Sequence, residues 1–301
     1  MIVDLGINIA GIMWKNPITT ASGTYAESES GRYYDPKRLG AVTTKGVAPK
    51  AWEGNATPRI AETYGGMLNA VGLQNPGVDA YIEGELKELK SKGVTVIANV
   101  AGHAPEEYCE VVEKLNETKV DMLEINVSCP NIKNGGISLG TNAEDVANIT
   151  RQIKRLTKKP VIIKLTPNVT DICEIAKAAE AAGADALSLI NTLLGMRIDI
   201  KTGKPVLANI TGGFSGPAIK PVAVAAVYRV AKAVQIPIIG MGGIMTGEDA
   251  YEFLLAGATA VAVGTAALID PVAPMRILLE LQQCCEKYGK PNDNFIRTWG
   301  E

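Results

Sequence analysis

Short apolar runs alternate with amphipathic stretches along the whole chain. Eight runs are rich in β-branched and small apolar residues, and most are continuous rather than alternating, which is typical of parallel strands covered on both faces. These runs predict strands at 17–21, 41–44, 94–100, 121–127, 160–166, 185–190, 236–240 and 259–263. Helical patterns follow most of them, at 79–92, 105–117, 142–158, 171–182, 217–234 and 247–256.

This order of elements predicts an α/β protein with a (β/α)8 fold, the TIM barrel. We expect an N-terminal extension that forms a small hairpin under the barrel, and active-site loop insertions at the C-terminal face. An open doubly wound sheet is the alternative, but no Gly-x-Gly-x-x-Gly motif follows the first strand, and eight units in one series favour closure. The chain contains no linker-like or low-complexity segment, so residues 1–301 are predicted to form a single domain.

Composition and charge exclude several classes of function. The formal net charge is −2, with no long block of one sign, which argues against a nucleic-acid partner and against a polybasic membrane contact. The single histidine, His103, excludes an HExxH zinc site, and no metal site is predicted. The five cysteines form no CxxC pair, which argues against a disulfide framework and against an iron–sulfur cluster in this chain. With no signal-peptide pattern and no apolar stretch long enough for a membrane span, we expect a cytoplasmic protein.

Polar residues and glycines stand where nearly every predicted strand ends. In a (β/α)8 barrel these positions share the C-terminal face, where active sites of this fold lie. The residues are Ser22, Lys45, Gly46, Asn99, Asn126, Ser128, Lys164, Asn191 and Thr192, with glycine-containing turns at 242–243 and 264–265. Strand ends are also simply where polar residues begin, but this does not explain lysines and asparagines at the ends of otherwise apolar strands. The sequence therefore predicts an active site on this face.

The glycine turns and the two lysines point to an anionic ligand. Gly242-Gly243 and Gly264-Thr265 follow the last two strands, where barrels often hold a phosphate with bare backbone N–H groups. A tight turn is the alternative for each pair alone. Lys45 and Lys164 end apolar strands, and a buried lysine is costly unless it meets an anion, either a ligand or a buried carboxylate.

A cysteine and several amides at the same strand ends suggest the chemistry. Cys129 precedes the glycine-rich stretch 131–138, which we interpret as a mobile loop over the active face. A thiol there can act as a base if its pKa falls from about 8.5, although a buried inert cysteine is the alternative. The side chains of Asn69, Asn126, Asn191 and Thr192 both donate and accept, which suits a pyrimidine or another cyclic diamide; local turn capping is the alternative.

Ten segments along the chain resemble those of a known family. The segments that carry the resemblance are ASGTY (21–25), TTKG (43–46), NAVGLQNPG (69–77), ANVAG (98–102), NVSCPN (126–131), IIKLTPN (162–168), NTLLGM (191–196), GGFSGPAIKP (212–221), GMGGI (240–244) and VGTA (263–266). Together they are similar to the dihydroorotate dehydrogenases, and in particular to the NAD-linked class 1B. Cys129 marks the class, because the membrane-bound relatives use a serine at that place.

The resemblance implies one bound FMN and the residues that hold it. These are Ser22, Lys45, Gly46, Asn99, Asn126, Lys164, Ile190, Gly216, Gly242, Gly243, Gly264 and Thr265. It further implies a dihydroorotate site formed by Lys45, Asn69, Ala70, Val71, Gly72, Leu73, Asn126, Asn191 and Thr192. Cys129 would take the C5 proton of dihydroorotate while a hydride leaves C6 for the flavin, which gives orotate for pyrimidine (UMP) biosynthesis.

The resemblance also implies a partner. This chain has neither a dinucleotide fingerprint nor the cysteines for a cluster, so electrons bound for NAD must leave it. The family pattern places FAD and a [2Fe–2S] cluster on a second, electron-transfer subunit, with two copies of each subunit in a heterotetramer. A fumarate-linked homodimer and another FMN-dependent dihydropyrimidine oxidoreductase remain alternatives. A non-enzymatic phosphate-binding barrel would leave Cys129 unexplained.

Overall fold

The structure, a computed structural model, describes residues 3–128 and 139–291. Its strands are β1 (Ile7–Ile9), β2 (Ile12–Trp14), β3 (Ile18–Thr20), β4 (Val42–Thr43), β5 (Ile60–Thr63), β6 (Gly66–Asn69), β7 (Val96–Val100), β8 (Met122–Asn126), β9 (Val161–Lys164), β10 (Ala186–Leu189), β11 (Leu193–Met196), β12 (Ile198–Asp199), β13 (Lys204–Pro205), β14 (Thr211–Ser215), β15 (Ile238–Met241) and β16 (Ala260–Val263). Its α-helices are α1 (Glu27–Ser30), α2 (Val78–Tyr81), α3 (Lys87–Ser91), α4 (Pro105–Asn116), α5 (Ala143–Leu156), α6 (Ile172–Ala181), α7 (Lys220–Ala231), α8 (Gly247–Leu255), α9 (Thr265–Ile269) and α10 (Ala273–Tyr288).

Eight parallel strands form the predicted barrel. The sheet runs β3-β16-β15-β10-β9-β8-β7-β4, and each predicted strand overlaps one of its members. Between the two end strands the side chain of Thr20 completes the ring, since its Oγ1 accepts from Thr43 N and donates to Thr43 O, both at 3.0 Å. The (β/α)8 prediction is confirmed, and the open-sheet alternative is wrong.

The predicted helices are present with two changes of geometry. The predicted helix 79–92 is α2 and α3 joined by a π-helical turn at Ile82–Leu86, and the predicted helix 217–234 begins as a 3-10 turn at Pro217–Ile219 before α7. Capping follows the sequence, because the Asn142 side chain accepts from the first N–H groups of α5. In the described ranges no helix is both long enough and apolar enough to cross a membrane.

The N-terminal hairpin covers the bottom of the barrel, as expected. Strands β1 and β2 pair antiparallel and place Ile9 and Trp14 against inward-facing residues of the barrel strands, among them Ile97, Met122 and Ile162. These side chains are almost completely buried. The lower half of the barrel is therefore packed apolar core, and polar chemistry is confined to the upper half.

A four-stranded antiparallel sheet at the upper face was not predicted. It runs β11-β14-β6-β5 and belongs to the insertions on that face. The segment 65–77 is rich in glycine and predicts a loop, but Gly66–Asn69 is strand β6 and pairs with both β5 and β14. Glycine has low β-propensity, so these strands depend on pairing between distant segments rather than on their own pattern.

Candidate active site

A cavity of about 400 Å³ opens at the C-terminal ends of the barrel strands and under the antiparallel sheet. The structure brings most of the predicted site residues into its wall: Ser22, Lys45, Asn69, Ala70, Val71, Gly72, Leu73, Asn126, Lys164, Ile190, Asn191, Thr192, Gly242, Gly243, Gly264 and Thr265. Gly46, Asn99 and Gly216 are not part of the wall. Cys129, the predicted base, lies outside the described residues.

Lys164 is a buried cation at this wall. It is the last residue of β9, it is 4% exposed, and its Nζ donates to Ser22 Oγ at 2.9 Å. Glu124 Oε2 lies 3.9 Å from the same Nζ. Lys164 therefore has the buried carboxylate that is one of its two predicted partners, and it also lines the cavity, where the other, an anionic ligand, is predicted.

Behind the wall, Glu124 organises a polar cluster between neighbouring strands. Its carboxylate accepts from Asn99 Nδ2 and, at 2.7 Å, from Ser188 Oγ. Asn99 is fully buried, yet in the described ranges its Oδ1 has no hydrogen-bond partner. Gly46 lies against this oxygen, since a Cβ at that position would come within 2.6 Å of it.

The turn after β15 can only be made by glycine. Gly242 and Gly243 have φ values of +127° and +84°, a region that side chains strongly disfavour. A Cβ on Gly242 would lie 2.8 Å from Ala223 Cβ, and one on Gly243 would lie 2.7 Å from Lys220 Cβ. Within the described part of the chain, no protein acceptor receives the backbone N–H of either residue. Such bare amides at a barrel mouth are suited to an anion.

Three amide side chains, those of Asn69, Asn126 and Asn191, line the cavity from different elements. Asn191 Nδ2 donates to Asn126 Oδ1 at 3.5 Å, so the ends of β8 and β10 are linked across the cavity wall. Asn69 arrives from the antiparallel sheet and donates to Gly213 O at 3.4 Å. Thr192 fits beside Gly213, where a Cβ would lie 2.2 Å from its Oγ1. The inserted sheet therefore carries the predicted substrate segment to the rim.

Comparisons with known proteins agree with this geometry. A family model described as dihydroorotate dehydrogenase matches residues 4–285. The chain belongs to the dihydroorotate dehydrogenase family.

Relatives from three organisms share the name "Dihydroorotate dehydrogenase B (NAD(+)), catalytic subunit". The chain is 59% identical to the protein of Alkaliphilus metalliredigens over 95% of both chains. It is 54% identical to that of Geobacter metallireducens, over 93% of this chain and 92% of the relative. It is 52% identical to that of Geobacillus kaustophilus, over 95% of this chain and 92% of the relative.

The residues of the site fit FMN, the cofactor that the family resemblance implies. Gly242 and Gly243 offer unpaired N–H groups to a phosphate. Asn99 Oδ1 is a buried acceptor to which no described residue donates. Lys164 supplies a cation at the cavity wall. Phosphate, N–H donors and ring carbonyls, which FMN combines, are the complements of these groups.

Glu124 and Ser215 are among the residues of the site that sequence analysis missed. Glu124 is the single charged residue of β8, and this interruption of an apolar strand is the signal that could have revealed it. Ser215 lines the cavity and accepts from Thr265 Oγ1 at 2.9 Å. It lies in β14, which has no strand-like pattern in the sequence.

The described cysteines are unsuited to base catalysis. Burial raises the pKa of Cys109, Cys173, Cys284 and Cys285, and these residues lie on helices away from the cavity. Among the described residues there is also no cluster of His, Cys, Asp and Glu that could hold a metal.

Proposed function

We propose that this chain oxidises (S)-dihydroorotate to orotate in pyrimidine biosynthesis, as the catalytic subunit of an NAD-linked enzyme. Family membership and the names of its relatives support the reaction. The observation that carries the proposal is one cavity whose wall combines the buried cation Lys164 with the hydrogen-bonded amides of Asn126 and Asn191. A dihydropyrimidine ring carries C=O and N–H groups in alternation, and amide side chains can match both.

FMN is the proposed cofactor of the single domain 1–301, and when bound it accepts the hydride that leaves C6 of the substrate. Its phosphate would take the N–H groups at the glycine turns, and its ring system would lie against Lys164. The residues proposed to hold it are Ser22, Lys45, Gly46, Asn99, Asn126, Lys164, Ile190, Gly216, Gly242, Gly243, Gly264 and Thr265. Lys164 keeps a positive charge fixed at this wall, since Ser22 and Glu124 both hold its ammonium.

The substrate side of the cavity orients the ring. Asn126 at the end of β8 and Asn191 after β10 present their amides from the two sides of β9, and the segment Asn69–Leu73 lines the cavity beside the antiparallel sheet. Lys45 places a second cation in the wall, suited to the substrate carboxylate.

Cys129 is the proposed base for the proton at C5. The residue before it, Ser128, lines the cavity and donates from Oγ to Lys164 O at 2.8 Å. Ser128, the residue directly before Cys129, is therefore fixed beside the buried lysine. Proton removal by a thiolate requires a lowered pKa, and a nearby cation is the usual means of lowering it.

The experiment is anaerobic mixing of FMN-loaded variants with dihydroorotate. Cys129→Ala and Cys129→Ser should bind FMN and orotate normally but bleach the flavin absorbance orders of magnitude more slowly than the wild type. Cys109→Ala, a substitution away from the cavity, should bleach at the wild-type rate. Near wild-type bleaching by Cys129→Ala would assign the base to another residue.

The relatives' description as catalytic subunits supports a separate electron-transfer subunit. We propose that this partner carries FAD and a [2Fe–2S] cluster and forms a heterotetramer with two copies of each chain. With dihydroorotate, the isolated chain should reduce an artificial dye quickly and NAD very slowly, and the partner should restore NAD reduction. Rapid NAD reduction by the chain alone would contradict the relay, and efficient fumarate reduction would favour the fumarate-linked alternative.

A further inference from the structure

A buried carboxylate lies beneath the cavity and has no role in the reaction described above. Glu124 is 2% exposed and occupies the middle of β8, opposite Asn99 on β7 in the strand register. It is not part of the cavity wall. Burying a carboxylate costs folding free energy unless both of its oxygens accept hydrogen bonds, so the donors around Glu124 indicate its role.

The two oxygens of Glu124 dictate the orientation of Asn99. Oε1 accepts from Ser188 Oγ and Oε2 accepts from Asn99 Nδ2, while Lys164 Nζ lies 3.9 Å from Oε2. A carboxylate can only accept, so the Asn99 amide must turn its NH2 group toward it. The oxygen of that amide is then directed away from Glu124 and is left as a buried acceptor without a protein donor in the described ranges.

The charge of Glu124 also bears on the cation of the wall. Lys164 is held between Ser22 Oγ, at 2.9 Å, and the Glu124 carboxylate. Ser22 and Lys164 both line the cavity, whereas Glu124 does not, so the carboxylate contacts the ammonium from behind the wall. One carboxylate thus sets an acceptor and steadies a cation of the same site.

We infer that Glu124 is the positioning residue of the cofactor site: it fixes Asn99 as a hydrogen-bond acceptor and Lys164 as a cation toward FMN. This inference rests on the proposed function, because the expected donor to Asn99 Oδ1 is an N–H or O–H group of the cofactor. Without the carboxylate the amide can rotate by a half turn and present NH2 where an acceptor is needed.

The test replaces the carboxylate by its isosteric amide. Glu124→Gln should weaken FMN binding about 10- to 100-fold, measured by the change in flavin fluorescence on titration, because hydrogen bonds to charged groups are among the stronger ones. The midpoint potential of bound FMN should rise, since an anion beside the site is lost. Glu27→Gln is the matched control, because Glu27 is 5% exposed, is held by Tyr25 and Lys92, and does not line the cavity. It should leave FMN affinity and potential unchanged.

A double-mutant cycle separates positioning from general damage. If Glu124 acts in part through Asn99, then Glu124→Gln should cost less FMN affinity in the Asn99→Ala background than in the wild type, with only the contribution through Lys164 remaining, whereas fully additive losses would overturn the inference. Should Glu124→Gln fail to fold, Ser188→Ala removes one donor of the carboxylate and should weaken FMN binding about threefold to tenfold. Unchanged affinity in Ser188→Ala would then overturn it.

The failures of the two proposals are distinguishable. A wild-type chain that binds no FMN overturns the proposed function and this inference with it. If the wild-type chain binds FMN and the Glu124→Gln variant binds it with the same affinity and the same midpoint potential, only this inference is overturned.

Discussion

Replacing Gly243 by alanine tests the glycine turn at the cavity. The substitution meets two separate obstacles. Its φ of +84° costs an L-residue about 1–2 kcal/mol. The new Cβ would lie 2.7 Å from Lys220 Cβ and 2.9 Å from Gly216 O, and relief of such overpacking costs about 1–3 kcal/mol. We therefore expect Gly243→Ala to lose about 2–5 kcal/mol of unfolding free energy.

Two other glycines separate these contributions. Gly203 has a φ of +69° and no heavy atom within 4 Å of a built Cβ, so Gly203→Ala carries only the backbone cost of about 1–2 kcal/mol. Gly84 lies in the π-helical turn with an ordinary φ and the same open space. Gly84→Ala should gain about 0.5–1 kcal/mol, because alanine loses less conformational entropy than glycine in a helix.

Urea unfolding of the cofactor-free proteins ranks the three variants, and FMN titration follows. Only Gly243→Ala should weaken FMN binding, since Gly203 and Gly84 do not line the cavity. If Gly243→Ala and Gly203→Ala lose the same stability, the close contacts around Gly243 do not matter and the rigid-turn argument fails. If FMN affinity survives in Gly243→Ala, the phosphate lies elsewhere.

Two further predictions concern charged residues. Lys164→Met removes a buried cation near Glu124 and should cost about 3 kcal/mol, whereas Lys154→Met, at a side chain 26% exposed, should cost at most about 1 kcal/mol; equal losses in urea unfolding would contradict this. Burial raises the pKa of Asp249, but the Lys220 hydrogen bond and two backbone N–H groups outweigh it and hold the pKa below its ordinary value. The stability that Asp249 contributes is then present above about pH 4 and lost as the pH falls, so the deficit of Asp249→Asn should shrink between about pH 7 and pH 3. A deficit independent of pH would contradict the assignment.

The barrel could be predicted from the sequence because its signal is local. Continuous apolar runs mark strands that are buried on both faces, and polar residues such as Asn126 and Lys164 mark their carboxyl ends. The fold then brings these ends together without further information. The antiparallel sheet carries no such signal, since β6 and β14 are glycine-rich and pair across a long stretch of chain. Only the pairing itself, which is not written in either segment, makes them strands.

The site was predictable in its wall but not in its support. Most polar residues of the wall follow strands, so their position along the chain identifies them, whereas Ile190 was named only from the family resemblance. Glu124 lies within a strand, and its partners Asn99 and Ser188 are 25 and 64 residues away along the chain. Its function depends on which strands become neighbours in the barrel, and the sequence of β8 alone does not state this.

The most direct test of the central claim is an anaerobic titration of the purified chain with dihydroorotate, followed by absorbance. We expect a yellow protein with about one FMN per chain, whose flavin band bleaches as about one equivalent of dihydroorotate is converted to orotate. A colourless protein that takes up no FMN, or a bound flavin that keeps its full absorbance in excess dihydroorotate, would contradict it.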